Sequence, residues 1–139
     1  MMANQALHVL HVEDDFADAM LVQQAVCEAG DFDISFEVVR TLREAKLRMQ
    51  AGGFDLILLD LRLPDSVHPT ETLEVARTSA GATPLLVLSG SMAVDREHLG
   101  EGIASLDKNA SFKVERGRKS VNIAQVIRNA VATEDFLSI

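Results

Sequence analysis

The chain has 139 residues, of which 47% are hydrophobic and 24% are charged. This length suits one α/β domain with a full core and is too short for two, and the apolar content excludes a disordered chain. With 13 basic and 21 acidic residues the formal charge is −8, so phosphate backbones repel the chain and nucleic-acid binding is not expected. No apolar run approaches the roughly 20 residues that span a membrane. The single cysteine excludes an intrachain disulfide, and a reducing cytoplasm is the expected location.

The first quarter of the chain predicts a strand followed by a helix. Residues 7–12 form a mostly apolar run that is typical of a buried strand, and three acids follow at 13–15. Apolar residues then recur at helical spacing, and Gly30 favours a helix end. The apolar positions of this first predicted helix are Ala17, Met20, Leu21 and Ala25.

The next segment repeats this pattern. Residues 34–39 are β-branched and aromatic, which predicts a second strand. A second helix follows, with Leu42, Ala45 and Met49 on one face and a stop at residues 52–53, both glycine. The apolar run 56–59 predicts a third strand, which ends at Asp60.

Two prolines, Pro64 and Pro69, bracket the next loop. We expect Thr70 to cap a third helix that contains Leu73 and Ala76.

Residues 84–88 predict a fourth strand, which leads into Ser89.

The last third predicts two helices and one weak strand. The spacing of Leu99, Ile103 and Leu106 predicts a fourth helix, and residues 111–114 predict a fifth strand. The final helix has the clearest stripe, formed by Ile123, Val126, Ile127, Ala130 and Val131. Five alternating βα units predict a doubly wound five-stranded parallel sheet with helices on both faces. We expect a single domain over 1–139, with a core at about 7–132 and a short C-terminal tail at 133–139.

Four acids and one serine follow the predicted strands directly. Glu13, Asp14 and Asp15 follow the first strand, Asp60 follows the third, and Ser89 follows the fourth. Parallel strands point their carboxyl ends to one edge of the sheet, where open α/β folds bind ligands. Each acid alone also has a structural interpretation, since one acid in a βα turn commonly caps the next helix. Together they favour a hard cation, and oxygen ligands of this kind suit Mg²⁺.

Three segments resemble the receiver domain of two-component response regulators: residues 12–15 (VEDD), 55–65 (DLILLDLRLPD) and 84–90 (PLLVLSG). The resemblance covers about residues 7–132 and implies a flavodoxin-like (βα)5 fold. Residues 63–66 and 71–73 are similar to a subgroup of single-domain receivers that is often paired with phytochrome-type kinases.

The resemblance implies a role for each residue that matches the family motifs. Asp60 would accept a phosphoryl group from a sensor histidine kinase or a phosphotransfer protein. Mg²⁺ would be held by Asp14, by Asp60, by the backbone carbonyl of Arg62 and, through water, by Glu13. Ser89 would hydrogen-bond a phosphoryl oxygen and act as the switch residue. Asp15 is then better interpreted as a helix cap than as a ligand.

The family's lysine at the end of the fifth strand, which usually precedes a proline, has no clear counterpart here. Counting from residues 109–110 selects Arg116, whose guanidinium binds phosphate in a bidentate manner. Other alignments select Glu115, Lys113 or Lys108. A second departure follows Ser66. Relatives usually have a glycine near this position, whereas this chain has Val67, His68 and Pro69.

The sequence favours a phosphoacceptor switch that signals through protein contacts. The alternative is a pseudo-receiver, an interaction module of the same fold that is not phosphorylated. An enzyme is disfavoured: aspartyl phosphatases of the haloacid dehalogenase type need an acid two residues after the nucleophile, where this chain has Arg62. Three large apolar residues near the C-terminus, Phe136, Leu137 and Ile139, predict a homodimer.

The remaining candidates are given structural roles. His8 and His11 are expected on opposite faces of one strand, where they cannot chelate one metal. His11 is expected in the core, His68 and His98 at the surface, and Cys27 as an inert packing residue.

Overall fold

A computed structural model describes residues 6–30, 33–66, 68–89, 104–107 and 123–137. Strands and helices alternate over most of these ranges. In chain order the elements are β1 (Leu7–Val12), α1 (Phe16–Glu28), β2 (Ile34–Val39), α2 (Leu42–Ala51), β3 (Leu56–Asp60), α3 (Pro69–Ala80), β4 (Leu85–Ser89), β5 (Ala104–Asp107) and α4 (Ile123–Leu137).

The five strands form one parallel sheet in the order β2-β1-β3-β4-β5. This confirms the predicted fold class. The strand order reverses direction beside β1, which has β2 on one side and β3 on the other. In doubly wound sheets, ligands bind outside the carboxyl ends of the strands at such a reversal. The ends of β1 and β3 are therefore the place to look for a site.

The sheet is covered on both faces, because alternate residues of a strand point to opposite sides. Leu10 and Val12 of β1 pack with buried residues of α2 and α3. Leu7 and Val9 pack with buried residues of α1 and α4. Every residue of the central strand β3 is buried, as expected of a parallel strand with helices on both sides.

Helix α1 buries mostly other residues than the apolar set that we predicted, of which Ala25 alone packs against the core. Its buried residues are Ala19, Val22 and Val26, whereas Met20 is 54% exposed and Leu21 is 42% exposed. Both sets have helical spacing, so periodicity alone does not choose between them. Packing against the sheet selects the face that is buried.

Helix α2 follows its prediction closely. Leu42, Ala45 and Met49 are its buried residues. The chain leaves the helix through Gly52 and Gly53, whose φ angles of 78° and 95° lie in the region that favours glycine.

Helix α3 begins two residues earlier than we expected. Pro69 is its first residue and His68 lies at the N-cap position without a side-chain capping bond, so the prediction of Thr70 as the cap is wrong. Proline suits the first helical position because its φ is already helical and its missing N–H has no partner to lose there.

The prediction that Leu106 lies in a fourth helix is also wrong. Leu106 lies in β5, which pairs with β4 through Leu86↔Ala104 and Leu88↔Leu106. The strand has only four residues and lies at an edge of the sheet, so little local pattern marks it. Leu99, Ile103 and the strand predicted at 111–114 lie outside the described residues.

The C-terminal stripe is confirmed. Ile123 and Ile127 of α4 are buried in the core, and Val126, Ala130 and Val131 pack against it. The helix continues to Leu137, so most of the segment that we expected to be a tail is helical. Among the described residues, no helix is both long enough and apolar enough to span a membrane.

Candidate functional site

Three carboxylates meet where β1 and β3 end. Glu13 and Asp14 follow the last residue of β1, and Asp60 is the last residue of β3. The register of the two neighbouring strands pairs Val12 with Leu59, which brings the next residues of both strands side by side. One carboxylate oxygen from each of the three acids lies within 4.8 Å of the other two. The predicted convergence of these acids is therefore present in the fold.

Burial makes this cluster electrostatically costly without a counter-charge. Glu13 is 1% exposed and Asp60 is 7% exposed, while Asp14 is half-buried. Two ionised carboxylates at this separation repel each other by about 3 kcal/mol at an effective dielectric constant of about 20. A bound cation offsets that repulsion, and oxygen donors are the ligands that Mg²⁺ prefers.

Backbone hydrogen bonds hold the Asp60 carboxylate and the main chain at the end of β1. The backbone N–H of Arg62 donates to Oδ1 of Asp60 at 2.9 Å. The backbone N–H of Glu13 donates to the carbonyl oxygen of Val39 at 2.9 Å, which ties the end of β1 to β2.

Adjacent acids have separate tasks. Asp15 is the N-cap of α1, and its Oδ1 accepts hydrogen bonds from the backbone N–H groups of Ala17 at 2.9 Å and Asp18 at 3.3 Å. Asp14 belongs to the carboxylate cluster. The interpretation of Asp15 as a cap is confirmed.

Ser89 lies at the same edge of the sheet. It is the last residue of β4, one position after Leu88, which pairs with Asp60 of β3. On its other side Ser89 pairs with Asp107, the last residue of β5. Its backbone therefore lies next to the end of β3, where the resemblance expected it.

The loop after Asp60 contains an anchor that we did not predict. Asp65 accepts hydrogen bonds from the first backbone N–H groups of α2, those of Leu42 at 2.8 Å and Arg43 at 3.0 Å. Burial by itself raises the pKa of Asp65, but these two bonds and one from its own backbone N–H outweigh it and hold the pKa below its ordinary value. The sequence signal was an acid shortly after a proline, which predicts only a turn.

Comparison with known proteins identifies the family. The chain is 31% identical over 105 residues to the swarming motility regulation protein RssB of Serratia marcescens, covering 76% of this chain and 44% of that protein. It is 37% identical over 93 residues to the cell cycle transcriptional regulator CtrA of Caulobacter vibrioides, covering 64% of this chain and 37% of that protein. The chain is a receiver domain of the response-regulator family.

Solved receiver domains have the same fold. The signal receiver domain of a putative Luxo repressor from Vibrio parahaemolyticus superposes with a TM-score of 0.70 at 21% identity, covering 95% of each chain. The receiver domain of a sensor histidine kinase from Pseudomonas aeruginosa, solved with magnesium in its active-site cleft, gives a TM-score of 0.67 at 18% identity, covering 91% of this chain and 98% of that one. No family model matches the chain. This receiver domain spans less than half the length of RssB and CtrA, and its family is one of signalling proteins rather than classical enzymes.

The sequence offers four candidates for the position of the family lysine. Arg116, Glu115, Lys113 and Lys108 all lie outside the described residues. The choice of Arg116 counted from residues 109–110, whereas the strand that pairs with β4 is Ala104–Asp107. Lys108 directly follows β5 in the chain, and the strand predicted at 111–114 lies outside the described residues.

Among the described residues, the histidines and the cysteine are not part of the cluster of carboxylates. His11 is fully buried, with its ring centre 6.3 Å from that of Phe36. His8 is half-buried on the opposite face, and His68 is exposed, both as predicted, while His98 lies outside the described residues. Cys27 is exposed in the last turn of α1, so its prediction as a packing residue is wrong.

Proposed function

We propose that this receiver domain is a phosphoacceptor switch of a two-component system, with Asp60 as the acceptor and Mg²⁺ as the required ion. The observation that carries the proposal is the convergence of Glu13, Asp14 and Asp60 at the reversal point of the sheet. The donor that we propose is a histidine kinase or a phosphotransfer protein.

The three carboxylates fit a magnesium site. Oxygen ligands on opposite sides of one Mg²⁺ ion lie about 4.2 Å apart, since each bond is about 2.1 Å. The observed spread of up to 4.8 Å between carboxylate oxygens suits two direct ligands and one that acts through water. We propose Asp14 and Asp60 as the direct ligands, Glu13 as the water-mediated one, and the carbonyl oxygen of Arg62 as a further ligand. When bound, Mg²⁺ offsets the negative charge of the carboxylates and of the incoming phosphoryl group.

The chemistry that we assign to Asp60 is nucleophilic. One of its carboxylate oxygens attacks the phosphorus of a phosphohistidine in line, so that an O–P bond forms while the P–N bond breaks. The released imidazole nitrogen takes up a proton from solvent, and the product is an acyl phosphate on Asp60. Phosphoryl transfer depends mainly on positioning and charge stabilisation, and the N–H of Arg62 supports both by fixing Oδ1 of Asp60.

Ser89 and Lys108 are the groups that we propose beside the phosphoryl oxygens. Ser89 ends the strand next to β3, and its hydroxyl would donate a hydrogen bond. Lys108 follows Asp107, the strand partner of Ser89, directly in the chain. Arg116 comes nine residues after Asp107, so we favour Lys108 for the role that the sequence first assigned to Arg116.

Self-association is a separate part of the proposal. Phe136 lies in the last turn of α4, and Leu137 ends that helix. We propose that this end of α4 contacts a second copy of the chain, because large apolar side chains gain free energy when they are buried. The cytoplasmic location expected from the single cysteine stays a prediction.

Labelling with a small phosphodonor tests the central claim. The wild type, incubated with acetyl phosphate and Mg²⁺, should gain one phosphoryl group by intact-mass spectrometry, and Asp60→Asn should gain none. Asp15→Asn is the matched control, because asparagine caps a helix about as well as aspartate, and it should label like the wild type. Absence of labelling in the wild type would favour the pseudo-receiver, and labelling of Asp60→Asn at another residue would show that Asp60 is not the acceptor.

A further inference from the structure

The first turn of α2 has two side-chain caps from different parts of the chain. Thr41 is the local cap, and its Oγ1 accepts a hydrogen bond from the N–H of Glu44 at 3.1 Å. Asp65 is the distant cap, 23 residues beyond Leu42, and its two carboxylate oxygens accept from the N–H groups of Leu42 and Arg43. A carboxylate at a helix N-terminus also interacts favourably with the helix dipole. Asp65 therefore joins the loop that follows Asp60 to a neighbouring helix.

The same loop is also hydrogen-bonded to α3. The Thr72 hydroxyl lies 2.6 Å from Oγ of Ser66 and 3.2 Å from the carbonyl oxygen of His68. Thr72 is fully buried, so this polar contact is shielded from water and is expensive to break.

Between Asp60 and Asp65 two leucines of the loop are packed in the core, whereas Arg62 and Pro64 are exposed. Leu61 is 1% exposed and Leu63 is 4% exposed, and both belong to the core on the α2 and α3 side of the sheet. Between those two leucines, Arg62 donates its N–H to Asp60. The position of the Arg62 peptide therefore depends on a segment that is held at Asp60, at two core leucines and at Asp65.

We propose that Asp65 is a positioning residue for phosphoryl acceptance: by anchoring the loop to α2 it holds the Arg62 peptide, and through it the Asp60 carboxylate, in the arrangement that binds Mg²⁺. This inference rests on the proposed function. It differs from a stabilising role, because a cap that only stabilises α2 would act equally from Thr41 or from Asp65. The two caps thus provide a comparison within one helix terminus.

The experiment compares Asp65→Ala, Asp65→Asn and Thr41→Ala in the full chain. Mg²⁺ affinity is measured by calorimetry without phosphodonor, and the Mg²⁺ concentration for half-maximal labelling and the maximal labelling rate are measured with acetyl phosphate. Partners that orient metal ligands typically contribute tenfold or more to affinity, so Asp65→Ala should weaken Mg²⁺ binding by roughly tenfold. Thr41→Ala should lower the melting temperature about as much as Asp65→Ala does, but it should leave Mg²⁺ binding unchanged. Asp65→Asn keeps one acceptor oxygen and should recover part of the loss.

The chemical shift of the Arg62 amide gives a readout that needs neither labelling nor metal. Asp65→Ala should move this resonance, and Thr41→Ala should not. Equal effects of the Asp65 and Thr41 variants on Mg²⁺ affinity, or an unmoved Arg62 amide in Asp65→Ala, would overturn the inference. If Asp65→Ala does not fold, Asp65→Asn decides by the same two measurements. If the wild type does not label but Asp65→Ala still shifts the Arg62 amide, the proposed function is rejected. The inference that Asp65 positions the Arg62 peptide is then kept.

Discussion

Ser89 and Asp107 are directly paired as the last residues of β4 and β5. Asp60 ends the next strand and pairs with Leu88, the residue before Ser89. These three neighbouring strands therefore end at almost the same level, at one edge of the sheet. A phosphoryl group on Asp60 would lie at this edge.

The pairing of Ser89 with Asp107 predicts that Lys108 is the basic residue that binds the phosphoryl group. Lys108→Ala should reduce the rate of labelling by acetyl phosphate by at least tenfold, since a lost charge-assisted hydrogen bond in a site costs about 1.5–3 kcal/mol. Arg116→Ala should leave the rate within about twofold of the wild type. Both rates are measured by intact-mass spectrometry at saturating Mg²⁺, and the opposite ranking would restore Arg116 to the role.

The adjacent acids Asp14 and Asp15 should respond differently to the same substitution. Asp14→Asn removes a charge from the cluster and should weaken Mg²⁺ binding by an order of magnitude or more, as the loss of a direct ligand. Asp15→Asn keeps the capping acceptor for the N–H groups of Ala17 and Asp18 and should leave Mg²⁺ affinity unchanged. Isothermal calorimetry measures both, and comparable losses in the two variants would contradict the division of roles.

The capping carboxylate of Asp65 should make the stability of the fold depend on pH. Its pKa in the folded chain lies below the ordinary value of 3.8, so ionised Asp65 stabilises the fold at pH values well above 3.8. That contribution is lost as the pH falls below 3.8 and through the lower folded-state pKa, because the protonated acid gives up the charge-assisted bonds to Leu42 and Arg43. Asp65→Asn mimics the neutral form.

Urea unfolding of the wild type and Asp65→Asn between pH 7 and pH 3 measures this effect. The difference in free energy of unfolding should be constant near neutral pH and should shrink towards the acid end. A difference that does not change across this range would show that the Asp65 charge contributes nothing to the fold.

The end of α4 should mediate self-association. Removal of residues 134–139 should lower the apparent mass measured by light scattering at high protein concentration from that of a dimer to that of a monomer. The stripe that holds α4 in the core, including Ile123 and Ile127, is retained, so the circular dichroism spectrum should keep its α/β character. A full-length chain that is monomeric with and without beryllofluoride would refute the dimer.

The sequence by itself predicts the five-stranded parallel sheet and the carboxylate cluster because both depend on local patterns. Apolar runs of strand length mark β1, β3 and β4, and the acids that end them must reach one edge once the strands are parallel. Glu13, Asp14 and Asp60 are therefore found without knowledge of any contact. The Asp15 cap also acts within its own turn and is predicted from the sequence, whereas the cap predicted at Thr70 is wrong.

Tertiary structure decides the features that depend on a choice between equivalent local patterns or on distant partners. Two stripes of α1 have helical spacing, and packing against the sheet selects Ala19, Val22 and Val26. The short edge strand β5 has almost no pattern of its own, and hydrogen bonding to β4 defines it. Asp65 caps a helix that begins 23 residues earlier, a contact that no local pattern encodes, because the free energy of a hydrogen bond between distant residues is gained only once the fold brings them together.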